Sequence, residues 1–130
     1  MSRKLFTLVA LVMVLILAAS CSPKPTELTA SDADKTLEFK TGDTIVVTLE
    51  GNPTTGYTWE AKDLDTSMLQ QEGDPNYKSS NPDLVGAGGT QSLTFKALKA
   101  GSVTLTLIYH RSWETGVEPL KTFTVTLTVK

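Results

Sequence analysis

Hydrophobic and polar residues alternate along most of this chain, and the alternation predicts strands. Leu37-Glu38-Phe39-Lys40 alternates and stops at Thr41-Gly42. Asp43 to Glu50 places Ile45, Val47 and Leu49 on one face, and Tyr57 to Ala61 repeats the pattern. Met68 to Glu72 is a weaker candidate. Leu93, Phe95 and Ala97 then share a face, as do Val103, Leu105, Leu107 and Tyr109, and finally Phe123, Val125, Leu127 and Val129. Threonines at 104, 106, 122, 124, 126 and 128 fill the opposite face of the last two strands, where a solvated antiparallel sheet accepts β-branched polar residues. No helical period of comparable length follows residue 34. The pattern predicts an all-β fold, an antiparallel β-sandwich or barrel built like an immunoglobulin module without its disulfide.

If each connection reverses the chain, the strand at 43–50 leads up into the segment Asn52-Pro53-Thr54-Thr55-Gly56-Tyr57. The strand at 57–62 descends and the one at 68–72 climbs, which puts Gly86-Ala87-Gly88-Gly89 at the same end. Residues 90–97 descend, Lys99-Ala100-Gly101 turns, and 102–110 climbs to Arg111-Ser112-Trp113. All three segments are therefore expected at one pole. That expectation hangs on the weak strand at 68–72, without which the glycine segment moves to the other end.

The first residues stand apart. Arg3 and Lys4 precede an apolar run from Leu5 to Ala19 with one threonine in it, short for a membrane span and suited to a signal peptide. The run ends in Leu17-Ala18-Ala19-Ser20-Cys21, which resembles a bacterial lipoprotein processing site, with Ala18 where Leu, Val or Ile is usual. The alternative is an ordinary secretory signal with Cys21 incidental. Cys21 is the sole cysteine of the 130 residues, so neither a disulfide framework nor a cysteine-based metal site is available. The reading is a signal peptide over 1–20, a lipid-bearing Cys21 opening a polar tether over 21–34, and one domain over 35–130. Extended, such a tether reaches roughly 40 Å. The domain would then stand in the cell envelope, facing the periplasm or exterior.

Loss of Arg3 and Lys4 leaves ten basic and fourteen acidic side chains, a net charge of −4. With no Lys/Arg cluster, the electrostatic footprint of nucleic-acid binding is missing. Catalysis has little support, because His110 is the single histidine and no nucleophile stands at a recognised spacing from it. No zinc set can be assembled from it either, and nothing asks for a cofactor.

The three loop segments each have a plain alternative. Asn52 to Gly56 is a stiff turn with Thr54 and Thr55 at its tip, since Pro53 fixes its own φ and Gly56 tolerates positive φ. It serves equally as a tight connection. Gly86 to Gly89 lacks the ending of a phosphate loop and is either a flexible connector or a strip bare enough for a partner's backbone to approach. Its approach, Asn76 to Asp83, reads as long and mobile. Trp113 continues the inward parity of Val103 to Tyr109 and would be core on that count. Arg111, Glu114, Gly116 and Pro119 around it argue instead that the strand has ended and the ring is exposed, the composition of a binding hot spot. Trp59 lies in a patterned strand and reads as core.

Taken together and in this order, the three segments resemble the chagasin family of cysteine-protease inhibitors. That family is marked by Asn-Pro-Thr-Thr-Gly-Tyr/Phe, Gly-x-Gly-Gly and Arg-Pro-Trp. Here these stand at 52–57, 86–89 and 111–113, with Ser112 in place of the proline, and the resemblance covers about Leu37 to Lys130. It implies an immunoglobulin-like sandwich that enters the cleft of papain-like proteases, with no catalytic residue of its own. It implies Thr54 and Thr55 over the target's catalytic Cys and His, and Gly86 to Gly89 against the unprimed substrate strands. Trp113 would pack on aromatic residues of the primed side, with Arg111 bracing or touching the rim. The expected partners are a papain-like protease, engaged by a monomer, and a membrane through lipid at Cys21. The rival expectation is a surface-tethered immunoglobulin-like module binding a structural or envelope partner.

Overall fold

The computed structural model describes residues 24–84 and 86–130. The expected signal peptide and Cys21 lie outside the described residues. Among the described residues nine strands run in chain order: β1 (Thr26–Leu28), β2 (Thr36–Phe39), β3 (Thr44–Gly51), β4 (Thr58–Ala61), β5 (Leu69–Gln71), β6 (Asn76–Ser79), β7 (Gly89–Ala97), β8 (Gly101–His110) and β9 (Lys121–Val129). They form two sheets. One has the order β1-β3-β7 with both β5 and β6 on the far edge of β7, and the other has the order β2-β9-β8-β4. This is an immunoglobulin-like β-sandwich.

The sandwich follows from the alternation. Ile45, Val47, Leu49, Leu93 and Phe95 of one sheet are buried against Leu105, Leu107, Tyr109, Phe123, Val125 and Leu127 of the other. Each fully buried aliphatic or aromatic side chain is worth about 1.5–3 kcal/mol relative to exposure. In β8 the odd positions from Val103 to Tyr109 are buried, while the even ones are exposed or half-buried. A slip of one residue would turn that whole set to water, so the pairing of β8 with β9 from Gly101↔Val129 to Tyr109↔Lys121 is firmly specified.

Three expectations need correction. The domain does not begin at 35, because Thr26–Leu28 pairs in parallel with β3 and buries Leu28. Of the residues expected to form a tether, Thr26–Leu28 belongs to the sheet. The approach to the glycine segment is not simply a long loop, because Asn76–Ser79 is strand β6, paired with β7 from Asn76↔Ser92 to Ser79↔Gly89. Nor are all pairings antiparallel, since β2 also runs parallel to β9.

The strand directions agree with the parity argument. β5 and β6 are both antiparallel to β7, and β3 is too, so β3, β5 and β6 all run the same way. The two sheets meet at that end, where the Asn52 N–H beyond β3 donates to the Tyr109 hydroxyl near the end of β8 at 2.8 Å. The connections β3–β4, β6–β7 and β8–β9 therefore share one end of the sandwich, the loop pole. The β7–β8 turn lies at the other, the turn pole.

Candidate functional site

The loop pole is assembled from Asn52 outward. Pro53–Thr55 forms one 3₁₀ turn with Asn52 as its N-cap and Gly56 closing it at φ 85°. Asn52 Oδ1 accepts from the Thr54 N–H at 3.2 Å and the Thr54 hydroxyl at 2.5 Å. The Thr55 hydroxyl donates back to the Asn52 carbonyl at 2.6 Å. Asn52 Nδ2 then donates to the Gly86 carbonyl at 3.0 Å, which ties the first loop to the second. A single asparagine thus caps its own turn and links two loops; serine or aspartate could cap but supplies no amide N–H for Gly86, and an apolar side chain can do neither.

The glycine segment is held from beneath by its own hairpin. The Tyr77 hydroxyl donates to the Ala87 carbonyl at 3.1 Å, and the Ser80 hydroxyl and N–H both donate to the Gly88 carbonyl at 2.5 and 3.0 Å. Gly89 already belongs to β7 and lies between β3 and β6, paired with Gly51 and Ser79. A Cβ there would stand 2.1 Å from the Lys78 carbonyl oxygen, so only glycine lets β6 and β7 come together. Gly86 and Gly88 are exposed, and Ala87 is half-buried.

Arg111 joins the third loop to the first. Its Nε donates to the Thr55 carbonyl at 3.0 Å, and one Nη donates to Glu114 at 3.2 Å. The guanidinium lies 4.5 Å from the centre of the Tyr57 ring, which itself stacks on Tyr109 at 5.3 Å. Arg111 is therefore a brace, its charge and two of its donors used within the pole. Tyr57, placed among the binding residues by the sequence, is half-buried in this stack and supports the loop from below. Trp113 is the opposite case. It is 67% exposed, and its ring rests over Gly56, where a Cβ would meet Cη2 at 2.4 Å. The core reading of Trp113 is excluded, and Trp59 at 4% exposure is core.

Two supporting residues escaped the sequence reading. Gln91 shares the inward parity of Leu93 and Phe95, and it is the buried polar residue beneath the pole. Its Oε1 accepts the Trp59 N–H at 3.0 Å and its Nε2 donates to the Thr58 hydroxyl at 2.8 Å, so it stitches β7 to β4 across the sandwich. A glutamine at an inward position near a strand end was the available signal. Tyr109 was assigned to the core, but its hydroxyl also anchors Asn52. His110 pairs through Nε2 with Glu60 at 2.7 Å, on the side of sheet β2-β9-β8-β4 away from the core. No nucleophile accompanies it in that pair.

Three loops are thus interlocked at one pole, with an exposed tryptophan among them. The family model of chagasin family peptidase inhibitors I42 matches residues 38–127. This chain belongs to the chagasin family. Amoebiasin-2 of Entamoeba histolytica is 34% identical over 105 residues, covering 79% of this chain and 84% of that protein. The solved cysteine protease inhibitor EhICP2 of Entamoeba histolytica is 30% identical, with a TM-score of 0.72 over 82% of this chain and 96% of that one. The Leishmania mexicana ICP structure is 35% identical, with a TM-score of 0.57 over 86% and 100%. The family consists of peptidase inhibitors, so the chain is not an enzyme.

Proposed function

We propose that this chain is a reversible, non-covalent, competitive inhibitor of papain-like cysteine proteases, acting as a monomer that fills the active-site cleft with the loop pole. The observation that carries this reading is the mutual locking of the three segments: Asn52 to Gly86, Arg111 to Thr55, and Trp113 over Gly56. Loops already fixed in place lose little ordering entropy on contact, which is what a wedge entering a cleft requires.

The chemistry of the first loop fits a plug that resists cleavage. A protease cuts an extended strand, whereas Pro53–Thr55 is a closed turn with the Thr55 and Gly56 N–H groups donating to Asn52 and Pro53 carbonyls. Thr54 and Thr55 at its tip would cover the catalytic Cys and His of the target. Gly86, Ala87 and Gly88 would lie along the substrate strands on the unprimed side, with Gly89 fixing them to the sheet. Trp113 would supply the aromatic anchor on the primed side, while Arg111 holds the loop rather than the target. A complex of this kind buries about 1,600 Å² in total, with most of the energy in one or two such anchors.

The test is a titration of the soluble domain from Pro23 onward against papain and a cathepsin L-type enzyme with a fluorogenic substrate. The expected result is competitive, reversible inhibition at nanomolar concentration with the domain recovered uncut. A folded domain that leaves both enzymes fully active at micromolar concentration would overturn the proposal.

A further inference from the structure

β1 decides where the amino-terminal stem leaves the sandwich. It runs parallel to β3, with Thr26 paired to Ile45 and Leu28 to Val47. Since β3 heads for the loop pole, so does β1, and its first residue lies toward the opposite end. Ile45 is in turn paired with Phe95, close to the β7–β8 turn. That turn pole is closed by the Thr41 N–H on the Lys130 carbonyl at 3.0 Å and the Gly42 N–H on the Ala97 carbonyl at 2.8 Å. Between the two poles runs β8, whose ten residues span about 33 Å.

We propose that the protein rests on a lipid surface by its turn pole, anchored through acylated Cys21, with the three loops directed away from the bilayer. The signal-like run that ends at Cys21 supplies the anchor, and the register of β1 supplies the direction. The stem is short. From Cys21 to Thr26 an extended chain reaches at most roughly 18 Å, well under the length of the sandwich, so it cannot carry the loop pole round to the lipid.

Charge at the turn pole is compatible with this seating. Lys24, Lys40, Lys96, Lys99 and Lys130 are all exposed toward that end. The nearby carboxylates are Glu27, Glu38, Asp43, Asp63 and Asp65, of which Glu38 is paired with Lys130 at 3.3 Å. The end is thus close to neutral in a chain whose mature net charge is −4, so anionic headgroups do not strongly repel it. The loop pole bears Glu50, Asp83, Glu114 and Glu118 together with Lys78, Arg111 and Lys121. The consequence, which rests on the inhibitor reading, is that a protease arriving from the surrounding medium meets the loops without hindrance from the membrane.

The experiment uses the full chain, purified in lipidated form from bacterial membranes and placed in phosphatidylethanolamine–phosphatidylglycerol vesicles. Acylation blocks Cys21, the chain's one cysteine, so Ala100→Cys at the turn pole or Thr115→Cys at the loop pole takes a fluorescent label cleanly. Spin-labelled lipid is expected to quench the label at 100 strongly and the label at 115 weakly. Equal or reversed quenching overturns the orientation, and an amino terminus whose mass shows no acyl chain overturns the anchor. On vesicles bearing the unlabelled, unsubstituted chain the inhibition constant for papain should match that of the soluble domain within about threefold, because rigid loops present the same surface in both. A soluble domain that inhibits beside a vesicle-bound one that does not also overturns the outward orientation. A soluble domain that fails to inhibit refutes the inhibitor reading alone, and quenching still decides the orientation.

Discussion

The two tryptophans lie on either side of the Asn52–Gly56 loop and are used in opposite ways. Trp59 is buried below it, with its indole N–H donated to the Glu50 carbonyl at 2.9 Å and its backbone N–H to Gln91. Trp113 lies above it, two-thirds exposed over Gly56. The difference separates two jobs. Beneath the loop, apolar area and hydrogen bonds are spent together on holding the sheets. Above it, Asn52 and Arg111 have taken up polar groups of the loops, which leaves an aromatic ring and glycine backbone exposed. Stability should therefore be lost from below and affinity from above.

The comparison breaks most visibly at Trp59. Trp59→Ala removes a large core side chain and orphans the contacts around it, and should cost about 3–5 kcal/mol. Against a typical total of about 5–15 kcal/mol, that lowers the denaturation midpoint sharply. Urea unfolding monitored by circular dichroism measures it, and a loss below about 1 kcal/mol would remove Trp59 from its place as the support of the loop pole.

Gly56→Ala tests the contact between the two regions. An L-residue at φ 85° is strained, and its Cβ would push the Trp113 ring aside. Strain and displacement together should weaken protease binding by about 3 kcal/mol, on the order of a hundredfold, with a smaller loss of stability. Competitive inhibition assays read it directly. Inhibition unchanged beside a normal midpoint would mean that neither the turn nor the resting place of Trp113 matters to the partner.

What the sequence made legible follows the same division. The core strands announced themselves because burial on one face and solvent on the other is the condition that produces alternation, and Val103 to Tyr109 shows it without a break. β1 and β6 did not. β1 contributes a single buried side chain, Leu28, and β6, Asn-Tyr-Lys-Ser, buries none; each is held chiefly by backbone pairing, which leaves no hydrophobic signature. At the pole, the glycine and proline positions marked the three loops, and strand parity placed them together. How they lock was hidden, because Asn52 to Gly86 and Arg111 to Thr55 are contacts across the fold between residues of ordinary polarity. Gln91 was concealed inside a strand whose other inward residues are apolar.

Trp113→Ala isolates the upper region. The side chain is exposed in the free protein, so its removal should shift stability by no more than about 0.5 kcal/mol. Binding should fall by about 2 kcal/mol, near thirtyfold, if the ring is the buried anchor of the complex. Measured side by side, the inhibition constant and the denaturation midpoint of Trp113→Ala and Trp59→Ala should change in opposite proportion. An unaltered inhibition constant in Trp113→Ala would reduce that ring to a bystander and move the energy of recognition to the first two loops.

The smallest expected effect sharpens the comparison rather than breaking it. Ser112 stands second in a four-residue turn closed by the Glu114 N–H on the Arg111 carbonyl at 3.0 Å. Proline is favoured at that position of a turn, because its fixed φ already suits it. The preceding residue, Arg111, directly follows the last residue of β8, and the extended backbone that a following proline demands continues the strand. Ser112→Pro should therefore keep Arg111 on Thr55 and Tyr57 while narrowing the unfolded ensemble, a gain of about 0.4–1 kcal/mol in stability. The same stiffening lowers the ordering cost of Trp113 on binding, so inhibition should tighten about two- to fivefold. Thermal unfolding and the inhibition constant check the two halves separately. A more stable variant that inhibits less well would show that the turn has to move when the partner arrives, and would place flexibility, not only exposure, among the properties that set the upper region apart.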